Sequence, residues 1–407
     1  MTKIIIAGAG PAGLTAAYEL LKRGCSVTVM EAGNSVGGAA RTLKMNGGSF
    51  DIGGHFFKPE DKRVLSILNE ILPFAGDSEK ADNVMLKRSL IKRIYYRKKF
   101  FEYDPDFSVK EHNIKEEKGF AAFILGIIKK LTGKREIESV GSTEEFLYPK
   151  LGPGQLCETL AKKIEEMGGE IITNCRVKRL VKTGDRITAL QYLENGKARV
   201  IECDMVISSI PLDELVNSIN GVPKDISDLV SSLLYQNVLS VGVLLSEMAP
   251  ENRTQIKTAG NIVPDGRIYI KDEGVALREI IVYNNISPYL LKEPESTVLL
   301  GLKYFCKDDD ALWKMNEQEL KELAVGELLK IGIIDGRDDV IDIAVYKAQK
   351  AFPAGGEGAK GVKAYLETIE NLILIGANGY HLPMETGPAM ITALKAADMI
   401  SDNKKRC

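Results

Sequence analysis

Short apolar runs alternate with amphipathic stretches over the first seventy residues. Lys3 to Ala7 is apolar after its first residue, the pattern of a strand buried on both faces of a parallel sheet. Leu14 to Lys22 continues at helical spacing, and Ser26 to Met30 is a second apolar strand that ends on the acid Glu31. Within 60–72, Val64, Ile67, Leu68 and Ile71 fall on one helical face. Between Leu86 and Tyr103 the period shortens. RIYYRKKFFEY alternates and predicts a hairpin turning near Arg97–Lys99, with seven basic residues from Lys87 to Lys99. That charge reads equally as a guarded sheet edge and as a surface for an acidic substrate.

Further on, 154–167 predicts a helix ended by Gly168–Gly169. A strand over 170–173 leads to Val177, and Asp204 to Ser208 is another buried strand, stopped by Pro211. Residues 216–340 carry the strand patterns VGVLLS, REIIVYNNISPY and TVLLGLKYFC and a helix over 316–330. Leu372 to Ile375 predicts a last strand, followed by a loop from Gly376 to Gly387 and a helix from Pro388. The expected fold is α/β: a discontinuous Rossmann-like domain over 1–75, 145–215 and 341–407, with an inserted α+β substrate domain over 76–144 and 216–340. At 407 residues the chain is long for one core.

Glycines carry the first chemical signal. Gly8, Gly10 and Gly13 form G-x-G-x-x-G between the first strand and its helix, with Pro11 and Ala12 inside the turn. Gly8 permits the tight turn, Gly10 lets the backbone approach a pyrophosphate, and Gly13 lets helix and strand pack closely. The helix N-terminus adds free N–H groups for phosphate. Glu31, followed by Ala32, stands at the second strand end, placed for a ribose hydroxyl. Gly37 and Gly38 with Arg41 in GGAART, and Gly53, Gly54 and His55 in FDIGGHFF, form two further elements. Paired glycines allow close approach, and a guanidinium can fork onto a diphosphate.

These segments resemble the FAD-binding superfamily of monoamine oxidases, protoporphyrinogen oxidases, phytoene desaturases and UDP-galactopyranose mutases. The resemblance implies FAD, non-covalently bound, with GGAART along its diphosphate and Val177 at the adenine through its main chain. It also implies that Gly376 and Asn378 belong to the flavin loop. The helix start at Gly387, Pro388, Ala389 and Met390 would then face the pyrimidine edge of the flavin, where its dipole favours negative charge. GANGYH resembles the bacterial branch grouped with UDP-galactopyranose mutase and protoporphyrinogen oxidase, but Ala377 stands where that branch carries Arg. By the same resemblance His55 lies by the flavin, to hydrogen-bond or relay a proton; the alternative is a loop buttress. His381 shares the flavin loop. Arg278, on an expected strand face with 280, 282 and 284, is a candidate anchor for a carboxylate or phosphate. Lys303 is a weaker candidate for the lysine that amine oxidases place near the flavin, and Trp313 is expected to pack the second domain.

A formal net charge of −2 argues against nucleic acid as a partner. Six scattered cysteines and three histidines argue against structural zinc and for reduced, cytoplasmic thiols. His112 lies in a charged stretch and is expected to be solvated. No stretch is long enough to span a bilayer. Phe120 to Leu131 reads as a buried helix in preference to a membrane-surface one. Three functions follow. The first is an FAD-dependent oxidoreductase taking hydride from a small organic substrate, an anionic one included, to flavin N5, with O2 or NAD(P)H as redox partner. The second is a UDP-galactopyranose mutase-like sugar-nucleotide isomerase, and the third a non-catalytic FAD-binding protein.

Overall fold

The computed structural model describes residues 2–58, 61–75, 80–107, 138–141 and 143–402. The predicted helix at Phe120 to Leu131 and His112 lie outside the described residues. Among the described residues no helix is long and apolar enough to cross a membrane.

Five parallel strands form the first sheet, in the order Leu372–Leu374, Met205–Ser208, Lys3–Ala7, Ser26–Met30, Glu170–Ile172. Side chains of the first strand alternate between two cores: Ile4 and Ile6 pack with the helices Pro11–Lys22, Pro153–Glu166 and Thr386–Asp402, and Ile5 packs the other way. Burial on both faces explains the unbroken apolar run. The second face is covered by a three-stranded antiparallel sheet, Cys175–Thr183, Arg186–Glu194 and Lys197–Glu202, through Leu180 and Leu190.

The second sheet is mixed. Its order is Val340–Pro353, Tyr235–Leu245, Val298–Cys306, Glu279–Val282, Arg267–Ile270, Met85–Tyr96, Lys99–Glu102, with Thr143–Pro149 also paired to Met85–Tyr96. The predicted hairpin is present: Arg97 and Lys98 both take positive φ, the backbone of a two-residue turn whose twist matches its strands. Its basic residues divide between environments. Arg93 is fully buried and forks onto Asp265 at 2.9 and 2.6 Å, with Glu138 at 2.8 Å. One face of the sheet packs on the helix Glu317–Ile331, which opens with an Asn316–Glu319 capping box.

Three expectations change. The strand Val340–Pro353 pairs with Tyr235–Leu245, so sheet continuity carries 341–353 with the second sheet and not the first. The segment after Leu374 is a short helix, Gly376–Tyr380, and the last helix starts at Thr386, ahead of Pro388. The strand at 279 ends at Val282 in a tight turn, Tyr283–Asn285, so Asn284 leaves the predicted face. The Asn284 and Asn285 amides instead satisfy loop carbonyls of Pro294, Thr297, Val263 and Asp265.

Candidate functional site

A cleft of about 400 Å³ opens at the carboxyl ends of the parallel strands, lined by Ala7, Met30 and Ser209 among others. Its three motif glycines do separate work. Gly8 has φ +102°, and a Cβ there would sit 2.3 Å from Ser209 Oγ. A Cβ at Gly13 would meet the Gly8 carbonyl oxygen at 1.9 Å, so helix and strand touch backbone to backbone. A Cβ at Gly10 would meet nothing within 4 Å; this glycine keeps the cleft open beside the helix N-terminus. Gly37, at φ +109°, donates its N–H to Ala9 O at 2.8 Å and brings Gly38 against Gly10.

Glu31 lines the cleft, its two oxygens held by Ala9 N at 2.9 Å and Gly33 N at 2.8 Å. Each keeps a lone pair for a further donor. Arg41 donates Nε to Gly38 O at 3.1 Å and Nη1 to Ser35 Oγ at 3.2 Å, and its Nη2 reaches the Tyr346 hydroxyl, with the guanidinium 5.0 Å from that ring. It is thereby fixed to the cleft wall by both its own loop and the second sheet. Pro11, Ala12, Ala32, Val177, Gly376, Ala377, Asn378 and Ala389 complete the lining named by the motifs. Asn378 Oδ1 is buried with no hydrogen-bond partner among the described residues. An open glycine cradle, a helix N-terminus, a positioned acid and an orphaned amide oxygen fit a dinucleotide. Other motif residues lie off the lining: Gly13 and Gly37 act through backbone packing, Pro388 is exposed, and Met390 is buried in the helical core. Gly387 is also off it, with open space where its Cβ would be.

A second cavity of about 410 Å³ adjoins the first, and five residues line both: Ile52, His55, Phe352, Met384 and Thr386. One transverse row of the mixed sheet runs beneath the two, Tyr269–Glu279–Lys303–Ser240–Tyr346 by strand register. Paired residues on neighbouring strands share a face, so the row that presents Glu279 and Lys303 to the second cavity also presents Tyr346 to Arg41. Gly53 and Gly54 line this cavity and not the cleft. A Cβ on Gly53 would strike His55 Nε2 at 2.4 Å, and one on Gly54 would strike Arg267 Nη2 at 2.2 Å.

His55 has both ring nitrogens engaged. Nε2 lies 2.8 Å from Ala39 O, which can only accept, so Nε2 carries the proton and Nδ1 accepts from Thr386 Oγ1 at 3.0 Å. The ring thus ties the cleft loop to the start of the last helix. Burial pushes its pKa down to about 4, with the nearby charges of Lys303 and Arg267 acting the same way. An unfolded histidine titrates near 6.5. Between these values the unfolded chain binds the extra proton, so this contribution to stability is complete above about 6.5 and is lost as pH falls toward 4. We expect His55→Gln to flatten that part of the stability–pH profile measured by denaturant unfolding; an unaltered slope would contradict the neutral, doubly bonded ring.

Below the loop lies a buried polar cluster. Lys303, 2% exposed, donates to the carbonyls of Asp51 and Ile52 and to Ser240 Oγ at 3.0 Å. The Asp51 carboxylate, 1% exposed, accepts from Tyr148 OH and from Thr42 Oγ1 at 2.9 Å. Burial raises the Asp51 pKa and lowers that of Lys303.

The remaining candidates fall elsewhere. Arg278 is exposed, lines neither cavity, and spends Nη1 on Val275 O at 2.9 Å. The cause is strand parity: Ile280 and Val282 face the helix-covered core, which leaves the odd positions Glu279 and Ile281 toward the cavity side. His381 is buried off the cavities, bonded to Gly355 O at 2.7 Å and set edge-on to Tyr235. Trp313 packs against the second core. Arg267, Lys92, Asp51 and Tyr148 were not singled out by the sequence. The basic run Lys87 to Lys99, one reading of which was a surface for an acidic substrate, held a faint signal for Lys92; Arg267 had none, because its strand is four residues long.

A family model described as a flavin containing amine oxidoreductase matches residues 76–358, and one for an NAD(P)-binding Rossmann-like domain matches residues 6–71. Putrescine oxidase of Kocuria rosea is 37% identical over 68 residues, 17% of this chain and 14% of that protein. Protoporphyrinogen oxidase 2, chloroplastic/mitochondrial, of Arabidopsis thaliana is 39% identical over 69 residues, again 17% and 14%. The chain therefore matches about a seventh of the length of these relatives. Reduced UDP-galactopyranose mutase shares the fold with a TM-score of 0.72 at 16% identity, over 99% of this chain and 94% of that one.

Proposed function

From the premise that the chain belongs to the flavin containing amine oxidoreductase family, we propose that it removes a hydride from a small organic molecule held in the second cavity. The cofactor is FAD, bound without a covalent link, and when bound it supplies the two-electron acceptor. One observation carries the reading: the cleft that fits the dinucleotide and the adjoining cavity share His55 and Thr386 at their junction.

The chain's own contributions follow from position. Gly10, Gly38, Glu31 and Arg41 would hold the pyrophosphate and ribose. Thr386 begins a helix of 17 residues, whose N-terminus favours negative charge arising at the junction. Phe56, Phe146, Phe305 and Phe352 wall the cavity and exclude water, which strengthens every charge interaction inside it. His55 is a positioning residue, since both nitrogens are committed. We expect His55→Ala to retain FAD and slow flavin reduction about tenfold or more, the worth of two lost hydrogen bonds, without moving the pH profile of that step. Loss of one limb of the profile would make His55 a proton relay.

The sugar-nucleotide isomerase reading draws on the four basic side chains that line the cavity: Lys58, Lys92, Arg267 and Lys303. The aromatic walls favour the oxidoreductase. A non-catalytic FAD protein would have no use for a cavity at this junction. Anaerobic addition of amines, porphyrinogens, polyenes and sugar nucleotides to the yellow protein separates the three. Bleaching by an organic compound alone supports the proposal, and admitting O2 or another acceptor afterwards identifies the oxidant. Conversion of a sugar nucleotide only after reduction by NAD(P)H or dithionite would replace the proposal with the isomerase.

A further inference from the structure

The charges of the second cavity are unevenly matched. Three carboxylates line it, and each already faces a cation. Glu144 is held by Lys92 at 2.8 Å and Lys58 at 3.3 Å. Glu385 lies 3.9 Å from Lys58 and is mostly exposed. Glu279 has Arg267 at 3.7 Å, beyond hydrogen-bond reach. The guanidinium of Arg267 keeps hydrogen-bonding capacity in reserve. Its Nη2 donates to Gly54 O at 3.1 Å and its Nη1 reaches Tyr269 OH at 3.5 Å, while Nε is buried with no hydrogen-bond partner among the described residues.

Arg267 is also well placed. Strand register pairs it with Lys92 on the neighbouring parallel strand, so both present to one face. The plane of the guanidinium is supported by the Phe56 ring, 4.9 Å from Cζ. Its bond to Gly54 sets it one residue from His55, at the junction with the cofactor cleft. Phe56, Leu90, Phe146, Val238, Phe305 and Phe352 supply an apolar wall beside these charges, and at about 410 Å³ the cavity is near the small end of the range for ligand pockets.

We propose that this cavity takes an apolar organic acid, an aromatic or otherwise hydrophobic body with one carboxylate, anchored by Arg267. The proposal rests on the oxidoreductase reading for its chemistry and narrows its substrate class. A carboxylate can fork onto a guanidinium through two parallel hydrogen bonds, which a neutral amide cannot imitate. An ammonium would enter among Lys92, Arg267 and Lys303, where each described lining acid already faces a cation.

The test is equilibrium binding to the intact flavin-loaded protein, read from the flavin difference spectrum, with phenylacetate, phenylacetamide and phenethylamine as probes. These share one apolar body. Phenylacetate is expected to bind at least tenfold more tightly than the amide, with the amine weakest. Arg267→Met should remove at least that tenfold preference of acid over amide, and Arg267→Lys should recover part of it. Equal binding of acid and amide, or tighter binding of the amine, overturns the proposal; the ranking on the unaltered protein decides this even if the Arg267 variants fold poorly. Binding is read without turnover. An acid preference with no organic compound bleaching the flavin would sink the oxidoreductase reading alone, and an amine that binds best and bleaches the flavin would sink the acid class alone.

Discussion

Gly10→Val is expected to give a folded protein that purifies without flavin. The backbone at Gly10, φ −75° and ψ 179°, suits any residue, and the space its Cβ would enter holds no atom of the described residues within 4 Å. The variant therefore has little reason to unfold. The same space lies at the N-terminus of the helix Pro11–Lys22, where a pyrophosphate has to approach the backbone. Branched carbons there stand in the phosphate's position, and FAD affinity is expected to fall by a factor on the order of a thousand or more, about 4 kcal/mol. Gly13→Ala is the contrast. Its Cβ would overlap the Gly8 carbonyl oxygen at 1.9 Å, so the helix has to shift off the strand, at a cost of about 1–3 kcal/mol or more of fold stability. Flavin absorbance per protein, set beside far-ultraviolet circular dichroism and the denaturation midpoint, checks both. A yellow Gly10→Val protein would mean the cleft is not the cofactor site.

Lys303→Met is expected to be the most destabilising single change in the site region, by about 3–5 kcal/mol, the usual cost of leaving one buried charge without its compensating neighbour. Methionine fills similar space but leaves the Asp51 carbonyl without the ammonium donor and the Asp51 carboxylate without the nearby charge. The Tyr148 and Thr42 hydroxyls remain its only side-chain donors among the described residues. Burial already raises the Asp51 pKa, and loss of the cation raises it further. A carboxyl whose folded pKa lies above its unfolded value binds more protons folded than unfolded between the two. Its penalty is absent below the unfolded pKa and grows as pH rises through the folded one. The deficit of Lys303→Met should therefore be largest at neutral pH and narrow on acidification. Asp51→Asn in the same chain should restore much of the loss, since replacing both members of a buried pair is often near neutral. Denaturant unfolding of the two single variants and the double variant, at neutral and acidic pH, measures this. Additive losses in the double variant would show that the two residues are not energetically paired.

Much of the cleft was legible in the sequence alone. The turn at Gly8 to Gly13, the acid at Glu31 and the GGAART element are local: their chemistry depends on spacing within a few residues, and the structure gathers Gly8, Gly10, Glu31, Gly38 and Arg41 around one cleft. The hairpin near Arg97 was legible for the same reason. The helix start was misjudged by two residues, because Pro388 reads as a first-turn residue whether the helix opens there or at Thr386. Pro388 and Met390 were assigned to the site by position alone, and helical rotation turns one to solvent and the other into the core.

The second cavity depended on long-range pairing. Alternation along REIIVYNN says which residues share a face but not which face is inward, and the helix Glu317–Ile331 decided that by covering the Ile280 and Val282 side. Arg278 was left outside in consequence, and Arg267 took the inward position. Lys92 and Arg267 meet because two strands far apart in the chain lie side by side in parallel register, and Lys303 reaches Asp51 and Ile52 across the interface between the mixed sheet and the hairpin Thr42–Met45 and Gly48–Asp51. Local spacing encodes turns, helix ends and phosphate cradles because their partners are neighbours in sequence. Which charges face one another in a cavity is set by strand order and register, and these are chosen by the packing of the whole chain.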